Sequence, residues 1–346
     1  MADTKVLRVG VSADALLEGT NEPFFDASAL EIIESHEGIE WEYLPERAAY
    51  LSADDLATYD VLCVVASGVQ ASALSRGDLR TRLIAGFGAG YDTRDVAALT
   101  EKGVLLTNNP DAVRRPMATT QLTFVLALAQ NLMQKDQITR KGDWSEQRRY
   151  TGIGLTGRVL GSIGLGNIGR ELFRVAKPFE MRHLACDPFV NAAEVAELGV
   201  ELVDFDTLLR ESDFLCTNVP LGPETTKLVD ERALSLMKPS AFLISTSRGP
   251  IVDESALYDA LVAKQIAGAA MDVFEVEPTP IDNPILALDN VVVTPHSLCH
   301  TDECNRLLAE GSFKAARSFA EHEVPRVLVN PEVLEHPRVK GWFDTP

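Results

Sequence analysis

Three residues in the C-terminal half of the chain lie just past apolar runs and carry groups that could hold an anion and move a proton. Leu243-Ile244-Ser245-Thr246 leads into Arg248, Ala269-Ala270-Met271-Asp272 leads toward Glu277, and Val291-Val292-Val293-Thr294 leads into His296. A guanidinium offers a planar fork of donors that matches a carboxylate in two hydrogen bonds. An imidazole can give a proton to a ketone oxygen or take one from a hydroxyl near neutral pH. A carboxylate on the other ring nitrogen would orient that imidazole and favour its protonated form. Taken singly, each residue has a plain structural reading: a surface arginine, a solvated loop glutamate, a structural histidine. Their shared placement argues otherwise, because ligands of open α/β sheets bind beyond the carboxyl ends of the strands.

A second site has to lie beside the first. Val159–Ile163 reads as an apolar strand, followed by Gly164-Leu165-Gly166-Asn167-Ile168-Gly169 and an amphipathic helix with Leu172, Phe173, Val175 and Ala176 on its apolar face. A strand at 183–186 then ends on Asp187. Gly164 allows the tight turn, Gly166 lets backbone approach a pyrophosphate, and Gly169 lets helix and strand pack closely. The phosphates would meet unpaired amides at the helix N-terminus. Asp187 can accept from the ribose hydroxyls. It would repel a 2′-phosphate, and Pro188-Phe189-Val190 supply no arginine to hold one, so NAD is expected over NADP.

Composition sets the outer limits. The 346 residues suffice for two domains with full cores, and 46% hydrophobic with 24% charged residues is ordinary for a globular protein. The start, MADTKVLRVGVS, lacks the order of a signal peptide, and no apolar run reaches the ~18–20 residues that cross a bilayer. The expectation is a cytoplasmic protein with no membrane contact. A formal charge of −19 argues against nucleic acid or an anionic membrane as a partner and calls for local arginines at an anionic substrate. Five scattered cysteines form no disulfide pattern. Cys299, His300 and Cys304 are close in sequence, but their spacing fits no common zinc motif, so no metal is expected.

The remaining pattern alternates. Strands are expected at 6–11, 61–66, 82–85 and 104–107, with a helix at 27–35, another from Thr93, and a long apolar helix over 117–133. After Asp187, helices are expected at 191–198, 230–236 and 253–263, strands at 213–218, 241–246, 266–272 and 291–293, and a last helix at 302–322. Such alternation implies an α/β fold with parallel sheets covered on both faces.

The motifs GLGNIG (164–169), STSRGPIVDESAL (245–257), MDVFEVEP (271–278) and TPH (294–296), with FGAGYD (87–92) and TNNP (107–110), together resemble the D-isomer-specific 2-hydroxyacid dehydrogenases over nearly the whole chain. The resemblance implies two Rossmann-like domains with parallel sheets, the cofactor domain inserted into a discontinuous substrate domain. The expected division is 1–116 for the first part of the substrate domain, 117–300 for the NAD domain with a dimerisation arm near 117–150, and 301–346 for the returning helix and tail. It implies a homodimer. It also implies that Arg248 binds the substrate carboxylate, that His296 is the acid/base, and that Glu277 is its partner. Around NAD it places Gly164, Gly166, Asn167, Ile168, Gly169, Asp187, Val219, Pro220 at the adenine pocket, Thr225, Thr246, Ser247, Arg248, His296, and Asp272 at the nicotinamide carboxamide. Ser67, Gly68 and Val69 would meet the substrate through backbone N–H groups, with Gly90 nearby.

Two departures bear on the substrate. The loop after 61–66 lacks the cationic side chain usual in phosphoglycerate dehydrogenases, and Gly86 stands where many members have arginine. Arg114 and Arg115 follow TNNP instead, and a second substrate cation from Arg114 or Arg115 and a surface or interface pair fit them equally. The implied activity is interconversion of a small 2-oxo acid and its D-2-hydroxy acid. A phosphite-type dehydrogenase, or an NAD-sensing module like the C-terminal-binding corepressors, remains an alternative on the same fold. Glyoxylate, hydroxypyruvate and bulkier 2-oxo acids are all compatible with the trio.

Overall fold

Five short strands, β1 (Leu7–Val11), β2 (Ile39–Tyr43), β3 (Val61–Val64), β4 (Leu83–Gly86) and β5 (Leu105–Thr107), pair in the order β2-β1-β3-β4-β5. Every pairing is parallel. The computed structural model describes residues 6–344. The chain divides into two units: one runs up to Val113 and resumes at His300, the other spans Arg114–Cys299.

In the first unit β3 and β4 are buried along their whole length, as their uninterrupted apolar sequence requires of central parallel strands. The helix Asp302–Ala320 returns to cover this sheet, capped by the Thr301 side chain at the Cys304 amide. Its Phe313 sets edge-on contacts with Phe25 and Phe87 at 5.6 and 5.5 Å between ring centres. The chain beyond it is tied down by Asn330, whose side chain accepts from the Leu106 amide and donates to the Val104 carbonyl. These bonds make the C-terminal segment part of a domain whose strands lie more than two hundred residues earlier.

The second unit holds seven parallel strands, β6 (Val159–Ile163), β7 (Arg182–Cys186), β8 (Val200–Leu202), β9 (Phe214–Thr217), β10 (Phe242–Ser245), β11 (Gly268–Met271) and β12 (Val291–Val293). Their order is β12-β11-β10-β9-β6-β7-β8. The chain leaves β6 toward β7 and β8 on one side and returns to β9 on the other. The crevice past the end of β6 is therefore a topological switch point, where such sheets bind ligands. Apolar side chains pack on both faces, with Leu215, Leu243 and Ala269 in one cluster and Phe214, Ile244 and Ala270 in the other.

The edge strands β2 and β8 are additions to the pattern read from the sequence. Both are half exposed, and β2 is interrupted by Glu40 and Glu42, which weakens any apolar signal. The long helix is Pro110–Ala129, followed after a left-handed Asn131 by Leu132–Lys141, which has no buried residue. Among the described residues, no helix is long and apolar enough to cross a membrane.

Candidate active site

The turn after β6 shows why its glycines are glycines. Gly164 sits at φ +91°, and a Cβ there would lie 2.5 Å from the Asn218 carbonyl oxygen. A Cβ on Gly169 would lie 2.7 Å from the Gly164 oxygen, whereas one on Gly166 would project into open space. The helix Asn167–Ala176 starts at Gly166 with no side-chain cap, so its first amides have no side-chain acceptor there. Backbone exposed on one side, closed behind by Asn218, and ending in uncapped amides is a cradle suited to a pyrophosphate. Asp187, at the end of β7, accepts from the Leu165 amide through Oδ2 at 2.8 Å and from the Phe189 amide through Oδ1 at 2.9 Å. The acid expected at the ribose is thereby fixed to the glycine turn itself.

Beneath this cradle lies a polar network absent from the sequence reading. Gln121, fully buried on the long helix, donates to Asn218 Oδ1 and to Thr246 Oγ1, both at 2.7 Å. Asn218 donates in turn to Ser162 Oγ at 2.9 Å, and Ser162 donates to the Gly164 carbonyl at 2.6 Å. The ends of β6, β9 and β10 are thus joined by side chains that satisfy one another, as buried polar groups must be. A lone glutamine within the apolar run Met117–Ala129 was the available signal. Of the other expected cofactor contacts, Thr225 spends its hydroxyl on the Pro220 carbonyl at 2.6 Å and so shapes the loop after β9, on which Val219 and Pro220 also lie. Ser247 donates to the Thr217 carbonyl at 2.6 Å.

The catalytic candidates come together past β10, β11 and β12. Gly249 is needed for this: a Cβ there would overlap the Phe274 carbonyl, so the segment carrying Arg248 lies directly against the one leading to Glu277. Arg248 is also tethered to the preceding peptide, with Nη1 donating to the Ser247 carbonyl at 2.8 Å. Glu277 accepts from the Phe274 amide through Oε1 at 2.9 Å, and its Oε2 lies 2.7 Å from His296 Nδ1. Burial alone would raise the Glu277 carboxyl. The hydrogen bonds from His296 and the Phe274 amide, with the charges of His296 and Arg248, outweigh that effect and hold it below the usual carboxylate range. With Nδ1 engaged, the His296 Nε2 has no partner among the described residues, and the side chain is 44% exposed.

His296 is held in the left-handed region, φ 51°, a conformation uncommon for a residue with a Cβ. The brace is Asp272, 1% exposed, whose Oδ1 accepts from Thr294 Oγ1 at 2.5 Å and from the Ser297 and Leu298 amides at 3.0 and 3.2 Å. Asp272 was expected at the nicotinamide carboxamide. One of its oxygens is committed to the histidine turn, and Oδ2 has no hydrogen bond among the described residues.

In the first unit Ser67, Gly68 and Val69 are all buried, and the Gly68 and Val69 amides donate to the Ala49 and Thr93 carbonyls at 2.8 and 3.1 Å. These bonds close the loop on itself. Gly90 is exposed at the end of the following loop. Arg115, 58% exposed, pairs with Glu171 at 2.6 Å, which Arg174 also meets at 3.1 Å. No cluster of three or more metal-ligating side chains occurs among the described residues. Burial pushes the Cys63 thiol up to about 12 and raises Cys216, so neither is a ready nucleophile.

The profile of the D-isomer specific 2-hydroxyacid dehydrogenase NAD binding domain matches residues 122–297, from within the long helix to just past His296. The chain belongs to the D-isomer specific 2-hydroxyacid dehydrogenase family. It is an NAD-dependent oxidoreductase, with the two-sheet α/β architecture of that family. It is 39% identical over 259 residues to a glyoxylate reductase of Korarchaeum cryptofilum, covering 74% of this chain and 78% of the relative. A D-3-phosphoglycerate dehydrogenase of Methanocaldococcus jannaschii is 39% identical over 250 residues, but these make up only 46% of that longer protein. Among solved structures, the apo form of D-lactate dehydrogenase from Escherichia coli superposes with a TM-score of 0.77 at 27% identity, covering 93% of this chain and all of that one.

Proposed function

We propose that this dehydrogenase interconverts a small 2-oxo acid and the D-2-hydroxy acid, with His296 as proton donor and acceptor. The observation that carries the reading is the His296–Glu277 pair, 2.7 Å apart, with the opposite ring nitrogen left for substrate. NAD, when bound, supplies the two-electron change as hydride in one direction and accepts it in the other. The residues to hold it are the Gly164–Gly169 turn at the pyrophosphate, Asp187 at the ribose and Asp272 Oδ2 at the carboxamide. Arg248 binds the substrate carboxylate through its fork and so fixes which carbon faces the cofactor. In reduction the ketone oxygen takes a proton from His296 Nε2; in oxidation the hydroxyl returns it. Glu277, kept as a carboxylate, holds Nδ1 and orients the ring.

The similarity to glyoxylate reductases, and the lack of a cationic side chain in the loop Val65–Gln70, support an unphosphorylated substrate. We further infer a cytoplasmic homodimer, its contact formed partly by the exposed helix Leu132–Lys141, where Leu132 and Met133 face outward, and by Trp144, 67% exposed. The test is NADH oxidation across a panel of 2-oxo acids, with His296→Asn alongside. Turnover that falls by ~10²-fold or more in the variant, with NADH binding retained, is expected. Near-normal kcat in the variant would remove His296 from the role. Tight NADH binding without any turnover would favour phosphite chemistry or a sensing module.

A further inference from the structure

The stretch that carries Glu277 gets little help from apolar packing. Residues 275–278 are exposed, Val276 at 61%, and Ile281 further along is 94% exposed. Yet Glu277 keeps its Oε2 at 2.7 Å from His296 Nδ1. Its bond to the Phe274 amide is local to the loop and fixes nothing outside it. Two bonds tie the loop to a neighbouring helix, and both end on one carboxylate. Glu254 accepts from the Glu275 amide through Oε2 at 3.0 Å and from Asn283 Nδ2 through Oε1 at 2.5 Å. The loop is thus gripped on both sides of Glu277. Glu275 answers with its own side chain, whose Oε1 accepts from the Glu254 amide at 3.1 Å.

Glu254 itself is well anchored. It opens the helix Glu254–Val262, where a carboxylate is favoured by the unpaired amides, and the N-cap Asp253 accepts from the Ala256 amide at 3.2 Å. The residues leading to it, Ile251 and Val252, are buried. Backbone bonds pin this arm to Val229, whose amide donates to the Ile251 carbonyl at 3.1 Å and whose carbonyl accepts from the Asp253 amide at 3.0 Å. Arg248 lies at the start of the same arm. One side chain therefore joins the buried arm that bears Arg248 to the exposed loop that bears Glu277.

We propose that Glu254 is a positioning residue for proton transfer, which clamps the 275–283 loop to the helix and so keeps Glu277 in place on His296. The inference deepens the reading of His296 as the acid/base and rests on it. A reacting group displaced by ~1 Å can lose ~10²-fold in rate. Because the Glu254 carboxylate is bonded to the loop, its effect passes through Glu277 and registers in kcat.

The test uses the full-length protein with saturating NADH and the accepted 2-oxo acid. It compares the parent with Glu254→Ala, Glu254→Gln, Glu277→Ala, the double variant Glu254→Ala/Glu277→Ala, and Asp253→Ala. Glu254→Ala is expected to lower kcat ~10-fold or more, with NADH affinity by fluorescence within about twofold. Glu254→Gln keeps an acceptor for the Glu275 amide and is expected to recover most of that loss. On the Glu277→Ala background the Glu254→Ala step is expected to change kcat by less than about twofold, since the group it positions is gone. Asp253→Ala uncaps the same helix but spares the clamp, and its kcat is expected within about twofold of the parent. Asn283→Asp opens the clamp from the other end while keeping the acceptor for the Ile285 amide. It is expected to lower kcat severalfold with the same dependence on Glu277, and it serves where Glu254→Ala does not fold. Parental kcat in Glu254→Ala, beside a Glu277→Ala that is impaired, would overturn the role of Glu254 alone. A loss that persists undiminished on the Glu277→Ala background, or that Asp253→Ala matches, would overturn it too, as the mark of general loosening. Parental kcat in Glu277→Ala, or a parent that turns over no 2-oxo acid, would sink the acid/base reading and the inference with it.

Discussion

Removing the carboxylate of Asp272 should weaken the fold and the chemistry together, and the structure sets the scale. Its Oδ1 takes three donors, Thr294 Oγ1 and the Ser297 and Leu298 amides, at a position 1% exposed. Hydrogen bonds to a charged group contribute ~1.5–3 kcal/mol each, and an orphaned buried amide costs ~1–3 kcal/mol. The three share one oxygen and are not additive, so Asp272→Ala should cost ~3–5 kcal/mol, the range for removing one partner from a buried charged cluster. At ~2–4 °C per kcal/mol for a domain of 150–250 residues, the melting point of the unit should fall by roughly 6–20 °C. Asp272→Asn keeps an acceptor for both amides and should lose about half as much. In either variant the left-handed backbone of His296 loses its brace, so kcat should fall more than thermal stability at the assay temperature explains. Scanning calorimetry on the parent and both variants is the measurement. A melting point for Asp272→Ala within ~2 °C of the parent would refute the argument, since that is less than one such hydrogen bond.

Two further outcomes follow from the same site. Gly249→Ala places a methyl on the Phe274 carbonyl, so it should cost ~1–3 kcal/mol or more of stability by urea titration and displace Arg248; a fully active variant of parental stability would contradict the close approach. The depressed Glu277 carboxyl gives a pH signature. A carboxylate lowered in the folded state adds stability that is present above its unfolded value, ~4.3, and is lost as pH falls through the lower folded value. The stability difference between the parent and Glu277→Gln should therefore be flat from pH 7 to 5 and shrink only below ~4. A difference that disappears between pH 7 and 6 would show that the pairing has been misread.

The α/β class and the parallel central strands were legible because β3, β4, β9 and β10 are buried on both faces and so read as unbroken apolar runs. The glycine turn was legible for a similar local reason: strand, glycines, helix and acid all fall within Val159–Asp187. Information carried by distant partners was not. Gln121 meets Asn218 and Thr246 across 97 and 125 residues, and nothing near Gln121 announces either. The bonds of the Gly68 and Val69 amides to Ala49 and Thr93 likewise join segments that the sequence does not connect. Arg94 illustrates the same point from the other side. Its neighbours in sequence suggest a loop arginine, and only packing reveals that Gly86 leaves room for it.

The bond from the Leu165 amide to Asp187 has a consequence for cofactor redesign. Changing a dehydrogenase from NAD to NADP ordinarily begins by replacing the acid at the end of the second strand of the cofactor unit. In this chain the acid at that position, Asp187, also anchors the glycine turn, so under the proposed cofactor placement the swap would discard a turn anchor as well. The two traits are coupled through one side chain. A neutral replacement at Asp187 that merely tolerates the extra phosphate would loosen the grip on both dinucleotides, and a successful exchange would have to supply a new acceptor for Leu165 in the same step. Drift toward the other cofactor by single substitutions is correspondingly obstructed.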